Sequence, residues 1–200
     1  MYTNNPYAQA GWPNAANRGG RSSNEPPAST FGALPYYVPP SQTNTLFFQF
    51  TSFSPDIMNC TVLGPQNQPY FRVITDTPTP GFSVLQNGQG KNFAFIEWRS
   101  HPLIDMKGVV PKQRIGDWIP LSSDKKYRTM RIGDKQYAWV PNGQYISLTT
   151  VGNGPPEILA KVSSNSGVVF LEVTSQAINL GLLEASVVVT LLLMCGRNVD

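Results

Sequence analysis

Apolar positions along the chain fall into three regimes. Over residues 1–44 aliphatic residues are sparse. From Thr45 to about residue 175, β-branched and aromatic residues come in short runs, broken by Gly, Pro, Asn or Asp. Beyond that they merge into one long segment, 177-AINLGLLEASVVVTLLLMC-195, whose one charge is Glu184. The middle regime predicts eleven strands, over 45–53, 59–64, 69–76, 81–86, 91–100, 103–108, 126–133, 135–141, 144–152, 157–164 and 167–175. Such runs suit a pleated, half-buried surface, and the residues between them suit turns. Around 133-GD-134 the alternation on both sides predicts a tight hairpin. Strands at a regular spacing of about ten residues, with no helical period between them, argue for an antiparallel barrel or sandwich.

The long apolar segment predicts a helix over about 177–195. Thr174 or Ser175 can cap its start, Gly196 can stop it, and Arg197 then lies beside the negative end of its dipole. The β-prone run Val187–Val189 leaves a terminal strand as the lesser alternative. About eighteen apolar residues is also the threshold for crossing a bilayer. Against a crossing stand Glu184, which would cost about 2.5–3.5 kcal/mol deep in hydrocarbon, and the polar Asn179, Ser186 and Thr190. The uncharged part, Ala185 to Gly196, is only twelve residues long. A helix that is apolar all round must be surrounded by something, and an array of strands can supply the surround. The expectation is a helix inside a β-barrel; a tail anchor with 177–195 spanning the bilayer is the alternative.

Composition sharpens the outline. Residues 1–44 hold seven prolines and four glycines. Such a stretch cannot bury enough apolar surface to offset its conformational entropy, so a disordered tail over 1–44 and a folded domain over 45–200 are expected. The tail's aromatic residues (Tyr2, Tyr7, Trp12, Phe31, Tyr36, Tyr37) read as scattered, and 35-PYYVPP-40 suits polyproline II. The first residues lack a basic start followed by an apolar run, which predicts a cytoplasmic chain, peripheral at a membrane surface at most. Cys60 and Cys195 are far apart in sequence and read as free thiols rather than a disulfide or a zinc site.

The net charge of +3 is too small to argue for nucleic acid. Its distribution is uneven. From Lys91 to Lys135 ten Lys and Arg face five Asp and Glu, a net of +5, whereas the rest of 45–200 carries three against six, a net of −3. The basic group includes Lys107, Lys112, Arg114, Lys125, Lys126, Arg128 and Arg131. Gathered on one face, these residues would form a site for anionic lipid head groups or another acidic partner such as a protein. Spread along strand edges, they would instead guard those edges against aggregation.

Catalytic chemistry has little to build on. His101 is the one histidine and has no surrounding motif of a nucleophile or metal site, so an enzyme with an atypical site near His101 is a minor alternative. No metal, cofactor or catalytic residue is expected. Asp105 with Asp117, and Asp124 with Asp134, lack calcium-loop spacing, and 87-NGQGKN-92 reads as a hairpin turn. Trp98, Trp118 and Trp139 could form a sugar-stacking platform, but read first as core between strands. Glu184 reads as a structural core residue tethered to Arg72, Arg128 or the barrel backbone, or as a carboxylate at the positive end of its helix.

Five short motifs occur in order: 96-IEW-98, 117-DWI-119, 128-RTM-130, 133-GDKQYAW-139 and 182-LLEASVVVTLLLM-194. In order and spacing the chain from about Thr45 to Cys195 resembles an uncharacterised domain family common in mushroom-forming fungi. That family is in turn similar to the tubby-like fold of tubby C-terminal domains, plant LURP-one-related proteins and phospholipid scramblases. The resemblance implies a closed antiparallel barrel of about twelve strands around a central hydrophobic C-terminal helix. It implies little about activity, and the sequence as a whole is read as a non-enzymatic intracellular binding or scaffold module, with an anionic lipid surface or a protein as partner. Tubby domains bind phosphoinositides through basic residues, but that motif does not map onto this chain residue by residue.

Overall fold

The computed structural model describes residues 45–75, 81–152 and 154–200. The expected disordered tail, with its aromatics and 35-PYYVPP-40, lies outside the described residues. The domain is mainly β: twelve antiparallel strands in one sheet curl into a nearly closed barrel, with a helix at the C-terminal end of the chain.

The strands are β1 (Thr45–Thr51), β2 (Cys60–Leu63), β3 (Pro69–Thr75), β4 (Phe82–Asn87), β5 (Asn92–Glu97), β6 (Leu103–Met106) and β7 (Val110–Arg114). A short helix, α1 (Ile115–Trp118), leads to β8 (Arg128–Ile132), β9 (Lys135–Asn142), β10 (Tyr145–Thr150), β11 (Ile158–Asn165) and β12 (Val168–Thr174). The chain finishes with α2 (Ser175–Asn179) and α3 (Leu183–Met194). Consecutive strands pair, except β7 with β8, and β1 pairs with β12, so the spatial order runs from β7 through β1 and β12 to β8. The Gly133–Asp134 hairpin forms as the alternation predicts, with Ile132 opposite Lys135 and Gly133 at φ +56°. Residues 88–91 form the turn between β4 and β5.

Alternation along the strands builds the interior. Phe48 and Phe50 on β1, Val169, Leu171 and Val173 on β12, and Leu148 on β10 are buried, while Phe47 between its inward neighbours is exposed. The interior they enclose is occupied by α3. Ala185 to Leu192 are buried on every face of that helix, including the polar Ser186 and Thr190. The Thr190 hydroxyl donates back to the Ser186 carbonyl at 2.7 Å, which satisfies a polar group that has no access to water.

The structure differs from the sequence reading at four points. A twelfth strand, β7, carries Pro111, Lys112 and Arg114, a composition that suits a sheet edge, where a missing N–H is tolerated and charge faces solvent. The ladder does not close, because β7 and β8 are not paired; α1 is packed against both and fills part of the seam. The apolar segment is two helices rather than one over 177–195. Gly181, at φ +71°, breaks it, and the Thr174 hydroxyl caps the first helix by accepting from the Ala177 N–H at 3.2 Å. Glu184 is half-buried rather than core, and none of the ion pairs among the described residues joins it to Arg72 or Arg128; its place in the first turn of α3 is that of the helix-dipole reading.

At twelve residues α3 is about 18 Å long, well short of a hydrocarbon core of about 30 Å. No helix among the described residues is long and apolar enough to cross a membrane. Gly196 follows α3 at φ +68°, the left-handed stop that the sequence predicts.

Burial sets a direct test of α3 as the core. Leu191→Ala in the helix should lower unfolding free energy by about 2–5 kcal/mol, because it leaves a cavity in a packed interior. Phe47→Ser, at a side chain 60% exposed, should change it by about 0.5 kcal/mol or less. Denaturant unfolding of both variants measures this; equal effects would mean that the barrel does not depend on the helix.

Candidate functional site

Strands that alternate in direction place their connections alternately at two ends of the barrel. One end receives the C-terminal end of α3, together with the 52–59 and 98–102 loops, α1 and the 119–127 loop. Contacts across this end agree with that layout. The Arg197 guanidinium lies 4.9 Å over the Trp98 ring, Val199 is buried in the core, and the Asp200 carboxylate meets Arg128. The other end carries the 107–109 and 133–134 turns and the junction of β12 with α2.

This geometry divides the seven predicted basic residues. Arg114, Lys125, Lys126 and Arg128 lie at the α3-exit end. Lys112 and Arg131 lie along β7 and β8 on either side of the seam, and Lys107 sits at the opposite end, with its ammonium 5.6 Å over the Phe95 ring. The group does not form one patch.

Several of these cations are already engaged. Arg128 is only partly exposed. Its guanidinium donates to both Asp200 carboxylate oxygens at 2.8 Å and to the Ile119 carbonyl at 2.9 Å. It ties the C-terminal segment to the residue after α1 and is a structural clasp. The Arg128 hydrogen bonds hold the Asp200 carboxyl below its usual range, against an upward push from partial burial. On the outer face, Lys112 pairs with Glu97 at 3.1 Å, and Arg99 pairs with the same carboxylate. Partial burial pushes Glu97 up, but hydrogen bonds from Arg99 and Lys112, and their charges, bring it below its usual range.

The 119–127 loop presents two lysines to solvent. Ser122 shapes it: its hydroxyl donates to the Asp124 carboxylate at 2.6 Å and accepts from the Lys126 and Tyr127 amides at 3.1 and 3.2 Å. The Ser122 N–H donates to the Tyr127 carbonyl at 2.8 Å, and the Thr129 N–H to the Pro120 carbonyl at 3.0 Å, which closes the loop against β8. Hydrogen bonds from the Ser122 hydroxyl and the Lys126 amide hold Asp124 below the usual carboxylate range. Lys125 takes the left-handed conformation at φ +57° and is exposed; the Lys126 ammonium is 3.7 Å from Asp124 and also exposed. On either side stand Leu121 and Tyr127, both exposed. The sequence reading took the lysines and missed these two, because nothing in a lone Leu or Tyr says that its neighbours fail to cover it.

The three tryptophans separate. Trp118 and Trp139 are buried in the core, as the packing reading expects. Trp98 is only partly buried, and its indole N–H donates to the Ser83 hydroxyl at 2.7 Å. Ser83 in turn is 2.5 Å from the Thr75 hydroxyl, which donates to the Met58 carbonyl at 2.6 Å. With two of the three rings inside, they form no stacking platform. Asn59 is likewise committed, its side chain accepting from the Thr75 N–H at 2.8 Å.

His101 is exposed on the 98–102 loop. Among the described residues no hydrogen bond or ion pair joins it to another group, and no cluster of three or more His, Cys, Asp and Glu could hold a metal. A surface cleft of about 370 Å³ lies between β1 and the turn at Pro65–Asn67, lined by Phe47, Leu63 and Phe170 among others and by no charged side chain.

The two cysteines are free thiols. Burial, with a smaller contribution from the Asp56 charge, pushes the Cys60 thiol up to about 12; burial also raises Cys195. Iodoacetamide at neutral pH should therefore leave Cys60 unmodified in the folded chain and label it once denaturant unfolds the barrel. Mass spectrometry reads this, and rapid native labelling of Cys60 would contradict the burial. The clasp makes a pH prediction. A carboxyl whose folded value lies below its unfolded value of about 3.9 stabilises the fold above that pH and loses the effect as pH falls through the folded value. Wild type should thus exceed Arg128→Met in stability at neutral pH, with the gap narrowing below about pH 4; a gap independent of pH would remove the charge pair as its cause.

No family model matches the chain, and no curated protein matches it. Among solved structures, the chain is similar to a protein from Arabidopsis thaliana determined by X-ray crystallography, at 11% identity and a TM-score of 0.37, over 74% of this chain and 92% of that one. A likeness at that level carries no argument about activity or partners.

Proposed function

We propose that this chain is a non-enzymatic intracellular binding module of the tubby-like kind, whose α3-exit end rests on an anionic lipid surface. The 121–127 loop carries the reading: it holds Lys125 and Lys126 in solvent between exposed Leu121 and Tyr127. Cationic side chains attract an anionic head-group layer at about 1 kcal/mol each, within a Debye length of about 8 Å. Apolar side chains beside them add burial at the acyl boundary, which pure charge attraction does not supply. The Ser122 hydrogen bonds hold the loop in shape before contact, so little ordering cost remains. Arg114 lies at the same end and adds charge. The barrel interior is filled by α3, which favours an exterior surface over a pocket as the site of binding.

Flotation of the full chain on phosphatidylcholine vesicles, with and without phosphatidylserine or phosphoinositides, tests the proposal. Binding should require the anionic lipid and weaken between low and physiological salt. Lys125→Glu with Lys126→Glu should cut it by about tenfold or more, and Leu121→Ser with Tyr127→Ser should weaken it with little change in salt dependence. Binding that ignores both salt and the charge reversal would sink the reading.

A further inference from the structure

The seam between β7 and β8 leaves a strand edge without a ladder among the described residues. Antiparallel pairing decides which backbone groups face it. Ile132 and Lys135 flank a two-residue turn, and such flanking residues exchange both backbone hydrogen bonds. From there the pattern alternates, so Met130 and Arg128 turn their backbone groups to β9, while Arg131 and Thr129 turn theirs to the seam. The Thr129 N–H does bond on that side, to Pro120, at 3.0 Å. On β7 the Ile115 N–H bonds to the Pro102 carbonyl at 2.9 Å, and Arg114 is opposite Leu103 and Gln113 opposite Ile104. Gln113 therefore faces β6, and Lys112 and Arg114 face the seam. The 120–122 segment covers the start of β8. Among the described residues nothing comparable pairs with β7, since β8 does not form a ladder with it.

The positions with seam-facing backbone groups are thus basic on β7, at Lys112 and Arg114, and across the gap at Arg131; all three side chains are exposed. We propose that the open edge of β7 takes up an extended acidic segment of a partner protein as an added strand. Its backbone would pair with Lys112 and Arg114, and its carboxylates would face Arg114 and Arg131. Main-chain pairing supplies affinity in such strand addition, and the side chains supply selectivity. The register shift between Ile104 and Met106, opposite the Val110–Lys112 stretch, breaks the alternation there and limits pairing to the α1-proximal half of the strand. That limit also opposes edge-to-edge pairing between copies of this chain. The site is distinct from the lipid-facing loop, which uses Lys125 and Lys126.

A synthetic extended peptide alternating glutamate with threonine tests it, with the full chain as receptor. Binding, read by fluorescence anisotropy, should be salt-sensitive and should slow amide exchange at Lys112 and Arg114. A lysine–threonine counterpart should not bind. N-methylation of alternate peptide amides, which removes strand pairing but keeps the charge, should weaken binding by about tenfold or more; this arm leaves the protein unaltered. Equal binding of the N-methylated peptide, no slowing at the β7 amides, or concentration-dependent pairing of two copies through β7 would overturn the proposal. Lys125→Glu with Lys126→Glu should lower vesicle binding and spare peptide binding, so failure of either proposal is read separately from the other.

Discussion

Burial of α3 on all its faces is the constraint from which the rest of the domain follows. A helix whose Ala185–Leu192 stretch meets no water needs apolar neighbours in every direction. Each fully buried valine or leucine contributes about 1.5–3 kcal/mol, so the pull on the strands to surround the helix is large. Twelve short strands with inward Phe48, Phe50, Leu148, Val169 and Leu171 meet that need. The arrangement also places α3 where a hollow barrel would have its cavity.

The seam is the place where this arrangement is least complete. Between β7 and β8 the ladder stops, and α1, the Arg128–Asp200 clasp and buried Val199 cover the core where a strand pair would otherwise do so. Closure by side chains rather than by a ladder has two consequences. One end of the barrel depends on a charge pair that is partly open to water, and such pairs contribute little at the surface. The seam-side backbone groups of β7 also have no strand partner among the described residues. Lysine and arginine at these positions guard the edge against like edges, and the proposed acidic partner strand would be selected by the same charge.

At the α3-exit end, structure sorts residues that look alike in sequence. Arg128 and Lys125 are three positions apart and carry the same charge. One is tied to Asp200 and the Ile119 carbonyl, the other stands in solvent on a turn shaped by Ser122. The charge count over 91–135 is a sum over both kinds of residue, and over both ends of the barrel.

The sequence by itself determined the local elements. Eleven of the twelve strands, the Gly133–Asp134 hairpin, the Thr174 cap and the Gly196 stop were all legible, because each depends on the conformational preferences of a few adjacent residues. It also determined that 177–195 needs an apolar surround, since composition alone sets that demand. Tertiary structure decided what depends on distant neighbours. β7 reads as a loop until its place at a sheet edge explains Pro111 and Lys112. Glu184 reads either as a buried tether or as a carboxylate at the start of its helix, until the break at Gly181 sets it in the first turn of α3. Arg128 reads as a free cation until the chain brings Asp200 to it from seventy-two positions away. Charge and exposure are set by what packs against a residue, and that is fixed only once the strands have closed around the helix.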